Sequence, residues 1–335
     1  MGEKRQVVVV TGATSGVGRA IARRFARGGA HIGLIARDRE GLDAASEEVH
    51  EAGSKALPLP SDVADHHAVD AAADAVEDAL GPIDVWVNCA MTTVFAFFED
   101  IEPEEYRRAT EVTYLGSVWG TRAALKRMMP RDSGTIVQVG SALAYRGIPL
   151  QSAYCGSKHA MKGMFESVRT ELMHKGSNVR VTMVQLPGLN TPQFDHCRSK
   201  MPNHPQPVPP IYQPELAADA VHWAVRHPRR EYFVGGSTVY SIWGNKLAPW
   251  FADRYLARTA VKGQQTPKHT GPREGNLFQP IPGRDPGAHG DFDAQSHDRS
   301  LQWQLSRRVG ELVASASAAL SGTRRRTRRR PSAET

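Results

Sequence analysis

Tyr154 and Lys158 stand four residues apart, with Ser141 shortly upstream. In a helix that spacing puts the phenol and the ammonium on one face. A free phenol holds its proton up to about pH 10, and a nearby positive charge favours the phenolate and lowers that value. Such a tyrosine exchanges a proton with an alcohol or a ketone near neutral pH. Ser141 follows the apolar run from Gly134 to Val139, where its hydroxyl can hydrogen-bond the substrate oxygen. A Tyr and a Lys at this spacing also occur on ordinary solvated helix faces, so the surrounding residues carry the weight.

The strongest of these is the run Thr11-Gly12-Ala13-Thr14-Ser15-Gly16-Val17-Gly18. Gly12 permits a tight turn, Gly16 lets backbone approach a pyrophosphate, and Gly18 lets a helix pack closely on a sheet. The helix that begins here offers unpaired N–H groups and a positive dipole end to a phosphate. At the end of the next strand an acidic residue would bind the ribose hydroxyls of NAD, whereas an arginine accommodates the 2′-phosphate of NADP. That slot is filled by Arg37, followed by Asp38. The expected cofactor is NADP(H), with NAD(H) as the alternative.

These residues need a scaffold that brings loops together. Val7 to Val10 read as a buried strand, residues 17–28 as a helix, and 31–36 as a strand. A charged helix over 39–51 follows, then a strand at 56–59, a helix at 64–80 and a strand at 83–88. The pattern continues with a long helix over 103–129, a strand at 134–139, a helix at 154–174, a strand at 179–185, a helix at 214–226 and a strand at 232–234. Strands alternating with helices imply a parallel sheet covered on both faces. Each motif falls just beyond the carboxyl end of a strand, where such sheets bind ligands.

With its motifs and elements in place, the chain resembles the short-chain dehydrogenase/reductase family over about residues 5 to 240. The resemblance rests on the glycine run, Asp62-Val63, Asn88-Cys89-Ala90, Ser141, Tyr154-Cys155-Gly156-Ser157-Lys158 and Pro187-Gly188. It implies an α/β fold: one Rossmann-type, doubly wound domain with seven parallel strands, assembled as a homodimer or homotetramer. It implies that Tyr154 is the acid/base, that Lys158 lowers its pKa and holds the nicotinamide ribose, and that Ser141 orients the carbonyl. Asp62 and Val63 would lie at the adenine, Asn88 and Ala90 along the cleft, and Pro187, Gly188 and Thr191 beside the nicotinamide. The hydride chemistry belongs to the cofactor.

Two positions depart from the family pattern. Met91 stands where a glycine is usual. Thr113, in Val112-Thr113-Tyr114-Leu115-Gly116, occupies the place of a catalytic asparagine that supports a water in a proton relay. A threonine hydroxyl has fewer hydrogen-bonding groups than an amide, so the expectation is a working but altered relay.

The rest of the chain sets outer bounds. The 335 residues carry a formal net charge of +7. Residues 324–335 hold six arginines and one glutamate, so this tail accounts for +5 and leaves +2 for the rest. Nucleic-acid binding then rests on the tail alone, without interleaved aromatics or a reader fold. Three scattered cysteines, Cys89, Cys155 and Cys197, show no metal-ligand spacing and point to a reducing compartment. Cys155 reads as a packed small residue rather than a nucleophile, and His159 and His196 as surface or packed histidines. With no secretory leader or apolar span evident, the expected location is cytoplasmic, with peripheral membrane contact as an addition.

Residues 189–212 are rich in proline and carry Phe194, Met201 and Tyr212. They read either as a lid with an apolar lining or as a stiffened surface loop. Beyond residue 244 one further helix is expected over 245–262 and a Pro/Gly-rich, extended or disordered linker over 263–300. An amphipathic helix begins at Leu301 and leads into the arginine tail. Its apolar face could meet the core, a second subunit or an anionic membrane, and the tail reads as a disordered terminus. The substrate class is a small alcohol or carbonyl compound, with a mild preference for an apolar one. The competing function is an NADP(H)-binding sensor or scaffold with weak or lost turnover.

Overall fold

Val7 to Val10 are all buried, and they alternate between two cores. Val8 and Val10 pack with helices on one face of the sheet, Val7 and Val9 with helices on the other. Side chains of successive strand residues point to opposite faces, so an unbroken valine run marks a strand covered on both sides. Each valine fully withdrawn from water contributes roughly 1.5–3 kcal/mol.

The computed structural model describes residues 5–283 and 285–311. Its main sheet contains β1 (Val7–Thr11), β2 (His31–Ala36), β3 (Ala56–Pro60), β4 (Val85–Asn88), β5 (Thr135–Ser141), β6 (Arg180–Leu186) and β7 (Glu231–Phe233). All seven are parallel, in the order β7-β6-β5-β4-β1-β2-β3. This is the doubly wound Rossmann-type sheet. The order reverses between β1 and β4, and ligands bind at that switch point.

Helices α1 (Gly16–Ala26) and α2 (Arg39–Glu51) cover one face. Helix α3 (His66–Leu80) packs on the other. The long helix expected over 103–129 is interrupted. Helix α4 (Pro103–Thr110) passes through one π-helical turn at Glu111–Leu115 into α5 (Gly116–Met128). Such turns widen a helix locally and are frequent at functional sites. Helix α6 (Ser152–His174) joins α3 and α5, and α7 (Pro214–Arg226) lies beside α1.

The C-terminal region departs most from the sequence reading. Instead of one helix over 245–262 there are two, α8 (Gly236–Leu247) and α9 (Pro249–Gly263). Pro249 opens the second, at a position where a missing N–H is harmless. The stretch expected as a linker is laid over the domain as a strap. Gln265–His269 pairs with Asn203–Pro205, and Ser296–His297 pairs with Ile211–Tyr212. Leu277, Ala288 and Phe292 are buried. A helix follows over 301–311, with Trp303 buried against Tyr232 while Leu301, Leu305 and Val309 are exposed. The remainder of the expected amphipathic helix and the arginine tail lie outside the described residues.

Candidate active site

Beyond the carboxyl ends of β1, β2, β5 and β6 lies a cavity of about 800 Å³, within the range of cofactor and ligand sites. Its wall includes Gly12, Thr14, Ser15, Gly16, Val17, Gly18, Arg37, Asp62, Val63 and Ala90. Ser141, Tyr154, Lys158, Pro187, Gly188 and Thr191 complete the opposite side. Sixteen of the residues singled out from the sequence thus meet in one place. Asn88 and Thr113 stand behind the wall.

The glycine run is shaped by close approach. Gly12 has φ +69°, and a Cβ there would lie 2.8 Å from the Ala90 Cα. A Cβ on Gly18 would lie 2.1 Å from the Gly12 carbonyl oxygen, so only glycine lets α1 start this close to β1. Thr11 ties the neighbouring loop in place, since its Oγ1 accepts from the N–H groups of Cys89 (3.0 Å) and Ala90 (3.1 Å). No side chain caps the start of α1 and no acidic residue lies in its first turn. That leaves a positive helix end suited to a phosphate. Asp38 is used differently: it caps α2 by accepting the Gly41 N–H at 3.1 Å.

The strap reaches this end of the cavity, which nothing in the sequence foreshadowed. Arg37 donates from Nη2 to the Asn276 carbonyl (2.6 Å) and from Nη1 to that of Phe278 (2.8 Å). The Gly16 N–H donates to the Gly287 carbonyl at 3.0 Å. Buried Arg19, on α1, holds Asp285 of the strap at 3.0 Å and Glu48 at 2.8 Å. Arg108 from α4 pairs with Asp62 and donates to the Leu277 carbonyl. Burial, followed by repulsion from Arg108, pushes the Arg37 pKa below its ordinary value. Two cationic side chains therefore converge where the adenosine half of a dinucleotide would lie.

At the other end of the cleft, Ser141 is the last residue of β5, and Tyr154 and Lys158 lie in the first turns of α6. The Ser141 Oγ accepts the Leu143 N–H at 3.1 Å, which leaves its O–H free to donate. Lys158 is buried, donates to the Val139 carbonyl at 2.7 Å, and holds its Nζ 5.6 Å from the centre of the Tyr154 ring. Burial lowers the Lys158 pKa to about 8. Burial also pushes the Tyr154 phenol above its ordinary value, against a hydrogen bond from Ser141 that lowers it. The sequence suggested that the ammonium would dominate the phenol; in the structure, withdrawal from water dominates both groups.

Thr113 lies in the π-helical turn, fully buried. Its hydroxyl donates to the Thr92 carbonyl (2.9 Å) and accepts the Thr92 N–H (3.0 Å). It thereby clamps the loop carrying Met91, Thr92 and Thr93, all of which line the cavity. Asn88 is also buried, with its amide between the Trp86 indole (2.8 Å) and the Thr121 hydroxyl (3.0 Å). Cys155 is buried, with its thiol pushed up to about 11 by burial, unlike a reactive thiolate. His159 lies on the exposed side of α6, with Nδ1 2.8 Å from the Cys155 carbonyl.

Fold and site together define an NAD(P)-dependent oxidoreductase. Residues 6–202 match the family model described as short chain dehydrogenase. An oxidoreductase of Bacillus subtilis is 34% identical over 81% of this chain and 77% of its own length. The 3-dehydrosphinganine reductase of Danio rerio is 38% identical, over 56% of this chain and 57% of its own length. Among solved structures, a metagenomic short-chain oxidoreductase in complex with NADP is 29% identical, with a TM-score of 0.58 over 68% of this chain and 96% of that one. A short-chain dehydrogenase from Streptomyces avermitilis is 27% identical, with a TM-score of 0.63 over 78% and 99%. The chain belongs to the short-chain dehydrogenase/reductase family.

Proposed function

We propose that the protein uses NADP(H) to interconvert a hydroxyl and a carbonyl group on an apolar small molecule, with Tyr154 as the acid/base. The observation that carries this reading is that Ser141, Tyr154 and Lys158 share one cavity wall with the glycine run and Arg37. The cradle fits a dinucleotide: glycines stand where a Cβ would collide, and no side chain caps the helix start, where only the Gly287 carbonyl of the strap meets the Gly16 N–H. NADP(H) rather than NAD(H) is supported by Arg37 at the end of β2 and by Asp38 being committed to its helix cap. The metagenomic relative, solved in complex with NADP, adds support to this reading.

When bound, the cofactor supplies or accepts the hydride. The protein's own groups handle the oxygen. The Ser141 and Tyr154 hydroxyls donate to the carbonyl oxygen and stabilise the charge that develops there. The proton of the Tyr154 phenol then passes to that oxygen, and the buried Lys158 ammonium favours the phenolate left behind. Apolar substrate is supported by Leu143, Ile148, Leu189, Phe194 and Leu256 in the cavity wall. It is also supported by the relatives in Danio rerio and Bos taurus, whose names describe reduction of a 3-dehydro or 3-keto compound.

The test is oxidation of NADPH with a panel of ketones of increasing chain length. Longer apolar ketones should turn over with the higher kcat/KM, and Tyr154→Phe should lower kcat by about 10²- to 10⁴-fold with NADPH binding retained. Cofactor binding without turnover across the panel would sink the reading and favour the sensor alternative.

A further inference from the structure

The rim of the substrate end is itself unusual. Tyr240, Trp243 and Leu247 follow one another along one face of α8, and Trp250, Phe251 and Tyr255 occupy α9. All six are more than half exposed, from 51% for Trp243 to 80% for Leu247. They make up six of the fourteen exposed large apolar residues among those described, within sixteen positions of the chain. Scattered exposed leucines need no explanation, but a contiguous patch of this kind marks a surface that something covers. The hairpin has almost no core of its own: only Thr238 and Ile242 of α8, and Ala260 of α9, are buried.

Four of these six residues also line the cavity. Tyr240, Leu247, Phe251 and Tyr255 line its mouth, whereas Trp243 and Trp250 lie outside the lining. The aromatic rings are interleaved with cations. The Lys246 ammonium lies 4.9 Å from the Trp243 ring centre, and the Arg254 guanidinium 5.8 Å from that of Trp250. Arg258 and Lys262 extend the positive character along α9. The hairpin's single acid, Asp253, is paired with Arg146 at 2.7 Å. Rings with an apolar body and a polar edge, flanked by long cationic side chains that carry their charge outward, match the boundary layer of a bilayer. The charge selects an anionic surface.

We propose that the α8–α9 hairpin docks the protein on an anionic lipid surface, with the mouth of the catalytic cavity facing the bilayer. No described helix is long and apolar enough to cross a membrane, so the contact is peripheral. It is placed on residues 240–258 rather than on the segment from 301 onward, which the sequence had suggested. The hairpin is joined to the loop after Ser141, since Asn245 donates to the Tyr145 carbonyl at 2.9 Å and accepts from Arg146 at 3.0 Å. An apolar carbonyl compound dissolved in the bilayer then reaches the cavity without crossing water. That last consequence rests on the proposed carbonyl reduction; the docking does not.

The experiment is co-sedimentation of the full chain with vesicles of phosphatidylcholine, and of phosphatidylcholine mixed with phosphatidylserine. The wild type should bind the mixed vesicles, and added salt should weaken the binding. Trp243→Ser with Trp250→Ser, and separately Lys246→Gln with Arg254→Gln, should each weaken it on the order of tenfold. These four side chains lie outside the cavity lining, so NADPH binding should be unchanged, which verifies folding. Vesicle binding is read without turnover, so failure of the carbonyl reading leaves this test intact. Absence of binding by the wild type, or undiminished binding by both variants, overturns the docking site. A wild-type dimer in sedimentation velocity that the tryptophan variant dissociates, without vesicle binding, assigns the patch to a second copy and likewise overturns it.

Discussion

One cavity has two ends built on different principles. The end proposed for the cofactor is made of strand termini, backbone N–H groups and two arginines, and the strap crosses it with polar contacts to Arg37, Gly16 and Arg19. The end proposed for the substrate is made of side chains from residues 189–212 and from the α8–α9 hairpin, and its rim carries exposed aromatic residues flanked by cations. Between them, Ser141, Tyr154 and Lys158 sit on a strand end and a helix within the rigid domain. Chemistry held on rigid elements and specificity held on variable segments can change independently. The contrast makes a demand: damage at either end should alter binding while leaving the character of the central step untouched.

Among changes that test this contrast, the largest effect is expected from Arg37→Asp. A guanidinium that pairs with a 2′-phosphate makes charge-assisted hydrogen bonds worth about 1.5–3 kcal/mol each. The substitution removes them and adds a like charge. The kcat/KM with NADPH should fall by about 10²-fold or more, while that with NADH should hold or rise. Arg37 also anchors the strap through the carbonyls of residues 276 and 278. An equal fall with both cofactors would show that anchoring is its main work, and the polar end would lose its role in choosing the cofactor.

The two ends also differ in how legible they were in the sequence. The cofactor end is specified locally. Gly12 to Gly18, Arg37 and Asp62 each lie at a strand terminus, and strand termini follow from short apolar runs, so the seven strands and the wall they carry could be placed. The strap is specified by distant contacts. Leu277, Ala288 and Phe292 are sparse apolar residues in a stretch rich in Gly, Pro and charged residues, and no periodicity links them. The helix expected over 245–262 matches α9 but was started four residues early, across Pro249, although a proline stops a helix from continuing N-terminally; most of α8, over 236–244, went unread. The Thr113 position drew attention, but its partner Thr92 lies 21 residues away across the fold, which no local pattern reveals.

The next effect belongs to the centre. The Lys158 ammonium is charged below about pH 8 and neutral above it, because burial lowers its pKa from the ordinary lysine value. The proton count runs one way: raising the pH through that value removes the positive charge that favours the Tyr154 phenolate. With NADPH and a ketone, kcat/KM should be level below that pH and fall about tenfold per pH unit above it. The same break should appear in the Arg37 and hairpin variants. A break that moves with changes at either end would mean that the three regions titrate together, and the separation drawn above would fail.

The smallest effect concerns the loop where the two ends join. Thr113→Val keeps the shape of the side chain but leaves the Thr92 N–H and carbonyl without their partner, at a cost of about 1–3 kcal/mol. In a chain of this size that lowers Tm by roughly 2–4 °C per kcal/mol. Thr113→Ser retains the hydroxyl and should recover most of the loss. Both hydrogen-bonding directions of that hydroxyl serve Thr92, so the pH profile of the valine variant should keep its shape while kcat falls only as far as Met91 to Thr93 loosen. A shifted profile with unchanged Tm would place Thr113 in the proton path instead, and the loop would then belong to the central chemistry rather than to the frame that holds the two ends together.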